Sequence, residues 1–345
     1  MSTLKTERIS IAEVAKAANV SMQTVSRVIN EQPGVSLTTR TRVRKVIEDL
    51  GYYPSRAAKA LRGASRTLGI VGYGLELYGP SRTLVGAQRE ASNNNYGVVL
   101  ELVDDPAGFD PRRILEKMLS NHVDGIVWCI PHIADNVEKV VVHLAKLPVP
   151  VIFTDTSSNM NDLTVTSNNY QGGRLATRHL IEGGHQTVGL ITGPLSYFSA
   201  RERLRGWQDA LHEADLSADE DCVIEGDWTA ASGAVALEAL LKRRPAMSAV
   251  FASNDQMALG VLCAAEQHGL IVPRDLAVVG YDDIPEAAFF HPPLSSVHQD
   301  VVGLGASAVS HLIRAIDSLA IRGHYAPATT ALEPELVIRA SSRPV

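Results

Sequence analysis

Apolar residues between positions 10 and 30 recur with the spacing of two short helices. In the first helix an apolar residue returns every three or four positions, which is typical of one buried face: Ile11, Val14, Ala15 and Ala18. Ser10 and Glu13 have the spacing of a capping box at its start. Asn19 falls where the chain must turn, and Asn tolerates a left-handed backbone.

The second helix has an outward stripe unlike the Glu and Lys of an ordinary solvated helix. After a capping Ser21, its inward positions are Val25, Val28 and Ile29. Its outward positions are Met22, Gln23, Ser26, Arg27 and Asn30. Amide, hydroxyl, guanidinium and soft apolar groups read base edges, so the two helices predict a helix-turn-helix. A third helix is expected to bury Val43, Val46, Ile47 and Leu50 and to stop at Gly51.

From position 67 onward, short apolar runs alternate with helical stretches. The predicted strands are 68–72, 97–103, 125–130, 149–154, 187–192, 249–253 and 276–281. The predicted helices are 80–95, 111–121, 170–183, 200–214, 230–243 and 256–269, then 300–321 before an extended piece at 331–340. Continuous apolar strands suit parallel sheets covered on both faces. Since the pattern divides near 164–169, two doubly wound lobes with a cleft are expected.

Charge separates the two parts of the chain. Residues 1–66 carry twelve Lys or Arg against five acids, a net +7, which leaves −13 on the remainder of a chain of net charge −6. A basic head on an acidic body favours a polyanion at one end. No apolar run reaches about 18 residues, so no membrane span is expected. We recognise no secretory signal at the start. The scattered Cys129, Cys222 and Cys263 favour a reducing, cytoplasmic compartment and predict neither metal nor cofactor.

Polar residues follow several of the predicted strands. Asp155, Asn254 and Asp282 come directly after strand ends, and Arg203 and Trp228 lie in the segments that follow. Carboxylates, an amide and a guanidinium pair with vicinal hydroxyls, and an aromatic face packs on sugar C–H groups. The set therefore predicts a sugar-binding cleft. An Asp after a strand is also a common helix N-cap, so Asp255 and Asp283 fit either purpose.

Residues 55–63, SRAAKALRG, form a basic, alanine-rich segment with one large apolar residue, Leu61. A helix this short does not hold in water by itself, but it could order against DNA or against a second copy of itself. Leu61 then either wedges into a minor-groove step or, in a plain linker, tucks onto a domain. The residues alone leave both possibilities open.

The segments VSMQTVSRVIN and LGYYPSRAAKALRG resemble the DNA-binding headpiece and hinge helix of the LacI/GalR family of bacterial regulators, from about position 9 to 63. The resemblance implies that Met22, Gln23 and Arg27 choose the bases. It places Leu61, flanked by Ala58, in the minor groove, at the centre of a pseudo-palindromic operator, and Tyr52 and Ser55 on the DNA backbone. Hydroxyl groups are expected to contact phosphates: Ser21, Thr24, Ser26, Ser36 and Thr39.

The body resembles the periplasmic-binding-protein-like effector domain of the same family, through segments such as SARERLRGW, GDWTAASG and ASNDQMALG. The resemblance is stronger to the lactose repressor than to purine-binding members. It implies one set of effector residues: Leu77, Asp155, Arg203, Trp228, Asn254 and Asp282. Two phenylalanine platforms of the lactose repressor fall on Thr166 and Val301, which predicts a roomier or more polar cleft.

The expected architecture is an α helix-turn-helix headpiece on an α/β body of the periplasmic-binding-protein-like type I fold. The predicted ranges are 8–54 for the headpiece, 55–66 for the hinge and 67–345 for the effector-binding and dimerisation body. Within the body, lobe 1 is expected at 67–165 and 299–326, and lobe 2 at 166–298 and 327–342. The chain stops at Val345 without a leucine-heptad tail, so a homodimer is expected rather than a tetramer.

These features together predict a sequence-specific repressor of carbohydrate-utilisation genes, whose affinity for operator DNA is switched by a sugar. An enzyme is disfavoured, because GxSxG, HExxH and P-loop motifs are absent from the sequence and Gly72-Tyr73-Gly74 lacks the rest of a dinucleotide fingerprint. The adjacent carboxylates of Asp282 and Asp283 point apart on a strand. A sugar-binding protein for uptake is disfavoured by the basic head and by the missing signal.

Replacing Leu61 tests the predicted wedge. Leu61→Ala should weaken operator binding and reduce the DNA bend, because the side chain that opens the central base step is gone. Both quantities can be measured in one operator titration with a bend-sensitive gel assay. Unchanged affinity and bend angle would show that Leu61 is not a wedge.

Overall fold

The structure is a computed structural model, and it describes residues 9–29, 32–50, 65–156 and 163–343. The chain divides into two compact units that meet between Ser65 and Arg66. Several predicted DNA contacts lie outside the described residues and stay predictions: Asn30, Tyr52, Ser55, Ala58 and Leu61. The same holds for Gly51 and for the wedge or linker role of 55–63.

The headpiece is built from three helices around a small apolar core. They are α1 (Ile11–Ala17), α2 (Met22–Ile29) and α3 (Leu37–Asp49). The predicted capping box is confirmed, since the Ser10 side chain accepts from the Glu13 amide and the Glu13 carboxylate accepts from the Ser10 amide at 2.7 Å. Asn19 takes the left-handed backbone expected at the turn, with φ 50°. The core comprises Val14, Ala15, Ala18, Val25, Val28 and Val43.

The first lobe of the body is a six-stranded parallel sheet with helices on its faces. Its elements are β1 (Thr67–Gly72), α4 (Tyr78–Asn93), β2 (Gly97–Leu102), α5 (Pro111–Ser120), β3 (Gly125–Cys129), α6 (Asn136–Leu144), β4 (Val151–Thr154) and β5 (Leu163–Ser167). Ile70 packs in the core on one face of the sheet and Val71 in the core on the other. This two-sided burial is why the strands read as continuous apolar runs.

The second lobe is also a six-stranded sheet with helices on its faces. Its elements are α7 (Asn169–Glu182), β6 (Val188–Thr192), α8 (Phe198–Glu213), β7 (Val223–Glu225), α9 (Ala230–Arg243), β8 (Ala249–Ala252), α10 (Asp255–Gln267), β9 (Ala277–Asp282) and β10 (Ser295–His298). The chain then forms α11 (Val301–Arg322), β11 (Ala328–Leu332) and β12 (Glu335–Val337). The strand orders are β11-β5-β4-β3-β1-β2 and β12-β10-β9-β8-β6-β7. Within these two sheets of the described residues, β10 and β12 pair antiparallel and the other neighbouring strands pair in parallel.

The chain crosses between the lobes three times, and two of the predicted lobe boundaries were wrong. Strand β11 pairs in parallel with β5 of the first sheet, although the sequence placed 327–342 in the second lobe. The last crossing is therefore between β11 and β12, and β5 carries the first sheet as far as Ser167. Both β5 and β11 contain two Thr residues among five, so they lack the continuous apolar run that identified the other strands. Asn168, at the crossing between β5 and α7, donates from its side-chain amide to the carboxylate of Glu333, at the crossing between β11 and β12, at 3.0 Å.

Helix α11 is long and apolar enough, by length and composition, to span a membrane, and it is the one such helix among the residues described. It packs instead in the core of the first lobe, through Leu304, Ala308, Val309 and Leu312. Helices α4 and α11 approach each other through glycines. A Cβ on Gly86 would lie 1.9 Å from the Val302 carbonyl oxygen, and one on Gly305 would lie 1.9 Å from that of Thr83.

The close contact between α4 and α11 makes Gly305 sensitive to substitution. Gly305→Ala should lower the free energy of unfolding by about 1–3 kcal/mol, because a methyl group has no room beside the rigid carbonyl of Thr83. Urea denaturation measures the change. Gly79→Ala is the matched control on α4, since a Cβ there would meet nothing within 4 Å. Equal stability of the two variants would contradict the helix contact.

Candidate effector cleft and DNA-binding face

A single cleft between the lobes collects the polar ends of strands from both sheets. Its volume, including the open mouth, is about 780 Å³. All six residues predicted from the sequence line it: Leu77, Asp155, Arg203, Trp228, Asn254 and Asp282. The carboxyl ends of parallel strands meet at one sheet edge, which is why residues so far apart in sequence converge. Their part in ligand binding remains a prediction.

Arg203 is the buried centre of this cleft. It lies on α8 with only 5% of its surface exposed. Its Nε donates to Asn169 Oδ1 at 2.9 Å, and a terminal nitrogen donates to the carbonyl oxygen of Ser253. The guanidinium carbon lies 3.6 Å from the centroid of the Tyr281 ring. These contacts fix the plane of the guanidinium group, so it meets a ligand in one orientation.

Asn169 connects the two lobes through its hydrogen bonds to Asp155 and Arg203. The sequence did not predict this role. Its Nδ2 donates to Asp155 Oδ1 at 3.0 Å, while its Oδ1 accepts from Arg203. The residue is buried and stands at the start of α7, immediately after the first crossing. An amide at a helix start is common and carries no signal of this role. It thus links a carboxylate of the first lobe to the guanidinium of the second.

Two carboxylates in the cleft have raised pKa values. Burial raises the pKa of Asp155, and the positive charge of Arg203 and the Asn169 hydrogen bond oppose the rise. Burial also raises the pKa of Asp282 to about 6, again opposed by Arg203 and by a hydrogen bond from Gln299. The Gln299 amide donates to Asp282 Oδ1 at 2.5 Å. Desolvated carboxylates favour ligands that bring hydroxyl donors.

Trp228 forms an aromatic wall of the cleft. The Tyr197 ring meets it edge-on, with centroids 5.9 Å apart. A Cβ on Gly193 would lie 2.0 Å from the indole, so only glycine leaves room for the ring there. The buried indole Nε1 has no hydrogen-bond partner within the described residues. Because buried donors are rarely left unpaired, this one suits a ligand acceptor.

Asn254 lies in the cleft, whereas Asp255 and Asp283, which also follow strand ends, do not. Asn254 lines the cleft, but it also caps α10 by accepting from the Met257 amide at 2.9 Å. Asp255 accepts from the Ile284 amide at 2.8 Å and from Ser296 at 2.6 Å, so its contacts are within the second lobe. Asp283 pairs with Arg339 at 2.7 Å. Neither aspartate is among the residues that line the cleft.

Two positions, Thr166 and Val301, were predicted to replace phenylalanines of the lactose repressor in the cleft, and one of them needs a correction. Val301 lines the cleft as expected. On β5 the lining residue is Ser167, whereas Thr166 points its hydroxyl to the Ser167 carbonyl oxygen at 3.2 Å. Side chains alternate along a strand, so a shift of one position moves a residue out of the cleft. The small, polar position is therefore Ser167.

Three of the predicted outward positions of α2 are exposed, and Asn30 lies outside the described residues. Met22 has 55% of its surface exposed, and Gln23 and Arg27 are also exposed. Two of the five hydroxyl residues expected on phosphates, Ser21 and Ser36, cap helices in the headpiece. Ser21 accepts from the Thr24 amide at 3.1 Å, and Ser36 accepts from the Thr39 amide at 3.3 Å. Ser26 is half-buried. Helix starts attract anions, which is compatible with phosphate contacts nearby.

Comparisons with known proteins agree with this arrangement. The model for bacterial regulatory proteins of the lacI family matches residues 10–55, and a periplasmic binding protein-like domain matches residues 177–342. The lactose operon repressor of Escherichia coli (strain K12) is 33% identical over 317 residues, which are 92% of this chain and 87% of that protein. This chain belongs to the LacI family.

Further relatives match this chain over nearly its whole length. The repressor PurR of Actinobacillus pleuropneumoniae serotype 3 (strain JL03) is 32% identical over 339 residues, covering 97% of this chain and 98% of PurR. The lac repressor dimer bound to operator and the anti-inducer ONPF superposes with a TM-score of 0.87, 31% identity and coverage of 97% and 99%. The CelR–cellobiose complex superposes with a TM-score of 0.72, 32% identity and coverage of 97% and 100%.

As a LacI-family protein, the chain is a DNA-binding transcriptional repressor with a ligand-binding regulatory body, and it is not an enzyme. The family accounts for a headpiece that binds DNA and a body that binds a ligand. Among the described residues, no group of three or more His, Cys, Asp or Glu is placed to hold a metal ion.

The raised pKa of Asp282 predicts a pH effect on stability. The folded state holds this proton more tightly than the unfolded state, whose pKa is near the ordinary 3.8. The contribution of Asp282 to the free energy of unfolding therefore falls as pH rises from 3.8 to about 6. Asp282→Asn, which keeps an acceptor for Gln299, should reduce that fall by on the order of 2 kcal/mol.

Urea denaturation at several pH values between about 4 and 7 measures this difference. The exposed Asp215→Asn variant serves as the control and should follow the wild type. Parallel curves for Asp282→Asn and the wild type would contradict the raised pKa.

Proposed function

We propose that this protein represses its target genes by binding a pseudo-palindromic operator as a homodimer, and that a neutral saccharide in the cleft sets its operator affinity. The observation that carries the proposal is the pairing of the Trp228 wall with two carboxylates and one buried guanidinium in a single cleft. Its place of action is the cytoplasm, on the bacterial chromosome.

The charges in the cleft favour a neutral polyol. Asp155 and Asp282 provide two carboxylates against the single guanidinium of Arg203. This excess of negative charge would repel an anionic sugar. The hydroxyl groups of a neutral sugar can donate to the carboxylates and accept from Arg203. A sugar ring presents C–H groups to an aromatic face such as Trp228. The relative CelR, solved as a cellobiose complex, supports a saccharide. A purine is the alternative, because PurR proteins are similar over the whole chain.

The switch follows from a difference between two lobe arrangements. The lobes are joined at three crossings, so they can rotate as units. A ligand that contacts both lobes binds one arrangement more tightly and raises its population. A ligand with equal affinity for both would change nothing. Pairing of the two 55–63 segments on DNA is the output of this shift.

The first lobe offers a face for a second copy. Strand β2 is the edge of its sheet, and Leu100 and Leu102, two positions apart on the same face, are 41% and 49% exposed. An exposed apolar edge strand pairs readily with another chain. Two copies joined there would present two headpieces to one palindrome. The lac repressor dimer on its operator supports this use of the fold.

The effector class is tested by thermal shift, with neutral mono- and disaccharides, sugar phosphates and purines as ligands. Binding stabilises the folded state, so we expect a neutral saccharide to raise the melting temperature and to change operator affinity. A purine or a sugar phosphate as the only hit would contradict the proposal.

Arg203→Ala should abolish the response to that saccharide and leave operator binding intact. The matched control is Arg205→Ala on the same helix, whose exposed side chain pairs with Glu202 and should leave both activities unchanged. Loss of operator binding in Arg203→Ala would show that Arg203 is needed for the fold rather than for the ligand.

The proposed dimer face is tested with Leu102→Glu. A buried charge at the interface should convert the dimer to a monomer and weaken operator binding by at least tenfold. Light scattering gives the mass, and operator titration gives the affinity. Val142→Glu is the control, because Val142 is 70% exposed on α6 of the same lobe. A Leu102→Glu variant that remains dimeric would exclude this face.

A further inference from the structure

The side chain of Asn169 joins a carboxylate of the first lobe to the guanidinium of the second. Its Nδ2 donates to Asp155 Oδ1 at 3.0 Å, and its Oδ1 accepts from Arg203 Nε at 2.9 Å. Asp155 follows β4 of the first sheet, whereas Arg203 lies on α8 of the second lobe. A single neutral amide group therefore contacts two opposite charges that come from different lobes.

All of the hydrogen-bonding capacity of this amide is used inside the protein. Besides Asp155, Nδ2 donates to the Ser167 carbonyl oxygen at 3.2 Å. Besides Arg203, Oδ1 accepts from the Tyr281 hydroxyl at 3.5 Å. An amide has two donor hydrogens and two acceptor lone pairs, so none is left for a ligand. Asn169 is 2% exposed and is not among the residues that line the cleft.

The neighbouring charges fix the orientation of the amide. A flipped amide would turn its NH2 group toward the guanidinium of Arg203 and its oxygen toward the carboxylate of Asp155. Both contacts would then be repulsive, because a guanidinium has only donors and a carboxylate only acceptors. In the observed orientation the amide gives each charge a hydrogen-bond partner without neutralising it.

The two charges do not pair with each other. Among the residues that the structure describes, no ion pair with a nitrogen–oxygen distance within 4.0 Å includes Arg203 or Asp155. Arg203 is nevertheless close enough to oppose the rise that burial causes in the pKa of Asp155. Buried charges in proteins are generally paired. Here both groups line the cleft instead, so both can meet a ligand.

We infer that Asn169 is a positioning residue, a neutral spacer that keeps the Asp155 carboxylate and the Arg203 guanidinium apart so that both stay available to a ligand that bridges the lobes. Without the spacer the two groups would pair directly. That ion pair would join the lobes in the absence of a ligand and would compete with a ligand for both groups. The inference rests on the proposed function only in taking the cleft as the ligand site.

A double-mutant cycle between Asp155 and Asn169 tests the spacer without any ligand. The readout is the unfolding equilibrium constant of the full chain, from urea denaturation at about pH 8, where aspartate side chains are ordinarily ionised. Asp155→Asn is measured in the wild type and in the Asn169→Ala background. In that background Asp155→Asn breaks the direct ion pair and leaves a buried cation unpaired. It should therefore raise the unfolding constant at least about tenfold more there than in the wild type.

A role limited to hydrogen bonding predicts the opposite sign. If Asn169 only donates to Asp155, Asn169→Ala leaves a desolvated carboxylate without that donor, and Asp155→Asn relieves the cost. Asp155→Asn would then destabilise the Asn169→Ala protein less than it destabilises the wild type. This result, or equal effects in the two backgrounds, would overturn the spacer.

Asn168→Ala is the matched control. This neighbouring amide also connects two crossings, but its side chain bonds Glu333 at 3.0 Å and the Gln171 amide at 3.0 Å. In the Asn168→Ala background, Asp155→Asn should have its wild-type effect, and an enlarged effect there would contradict a role specific to Asn169.

Asn169→Ser is a second truncation that keeps a polar side chain. It repeats the cycle if Asn169→Ala does not fold, and the same sign is expected. Because no ligand is present, the cycle and the thermal-shift test of the saccharide can fail independently of each other.

Discussion

The buried guanidinium of Arg203 is the interaction on which the regulatory body depends. Removing a charge from water costs several kcal/mol unless partners replace the solvent. Here the partners are the Asn169 amide, the Ser253 carbonyl oxygen and the Tyr281 ring, with the fields of Asp155 and Asp282. Asp155 comes from the first lobe and the others from the second, so the charges that surround the cation come from both lobes.

The backbone around the cleft is held in costly conformations. Asp155, Trp228 and Asp282 all have positive φ, at 52°, 73° and 108°. Such residues cost of order 1–3 kcal/mol each and persist when their surroundings determine them. Asn169 holds Asp155, Asn254 holds the Trp228 carbonyl group at 2.9 Å, and Gln299 holds Asp282. The polar network therefore does two tasks, since it satisfies the buried charges and keeps the site organised without a ligand.

The sequence predicted the site well where chemistry and strand position coincide. Asp155, Asn254 and Asp282 follow apolar runs, so the edge they share could be inferred before the structure. The features that the sequence did not predict depend on contacts between segments that are far apart in the chain. The Thr-rich β5 and β11 carry no apolar run, and Asn169 looks like an ordinary residue at a helix start. The sequence placed Thr166 in the cleft, whereas the structure places Ser167 there. Residue type alone does not fix which positions of a strand face the cleft, because strand pairing sets the register.

The exposure of Met22, Gln23 and Arg27 has a consequence for how such a protein diverges. These side chains contribute little to the headpiece core, which lies behind them at Val25 and Val28. Exposed positions of this kind tolerate exchange at small cost in stability. The cleft residues Arg203, Asn254 and Asp282 are buried and hydrogen-bonded to neighbouring groups, so replacing one of them disturbs its partners. Sequence change on this face of α2 therefore costs the fold less than sequence change in the cleft.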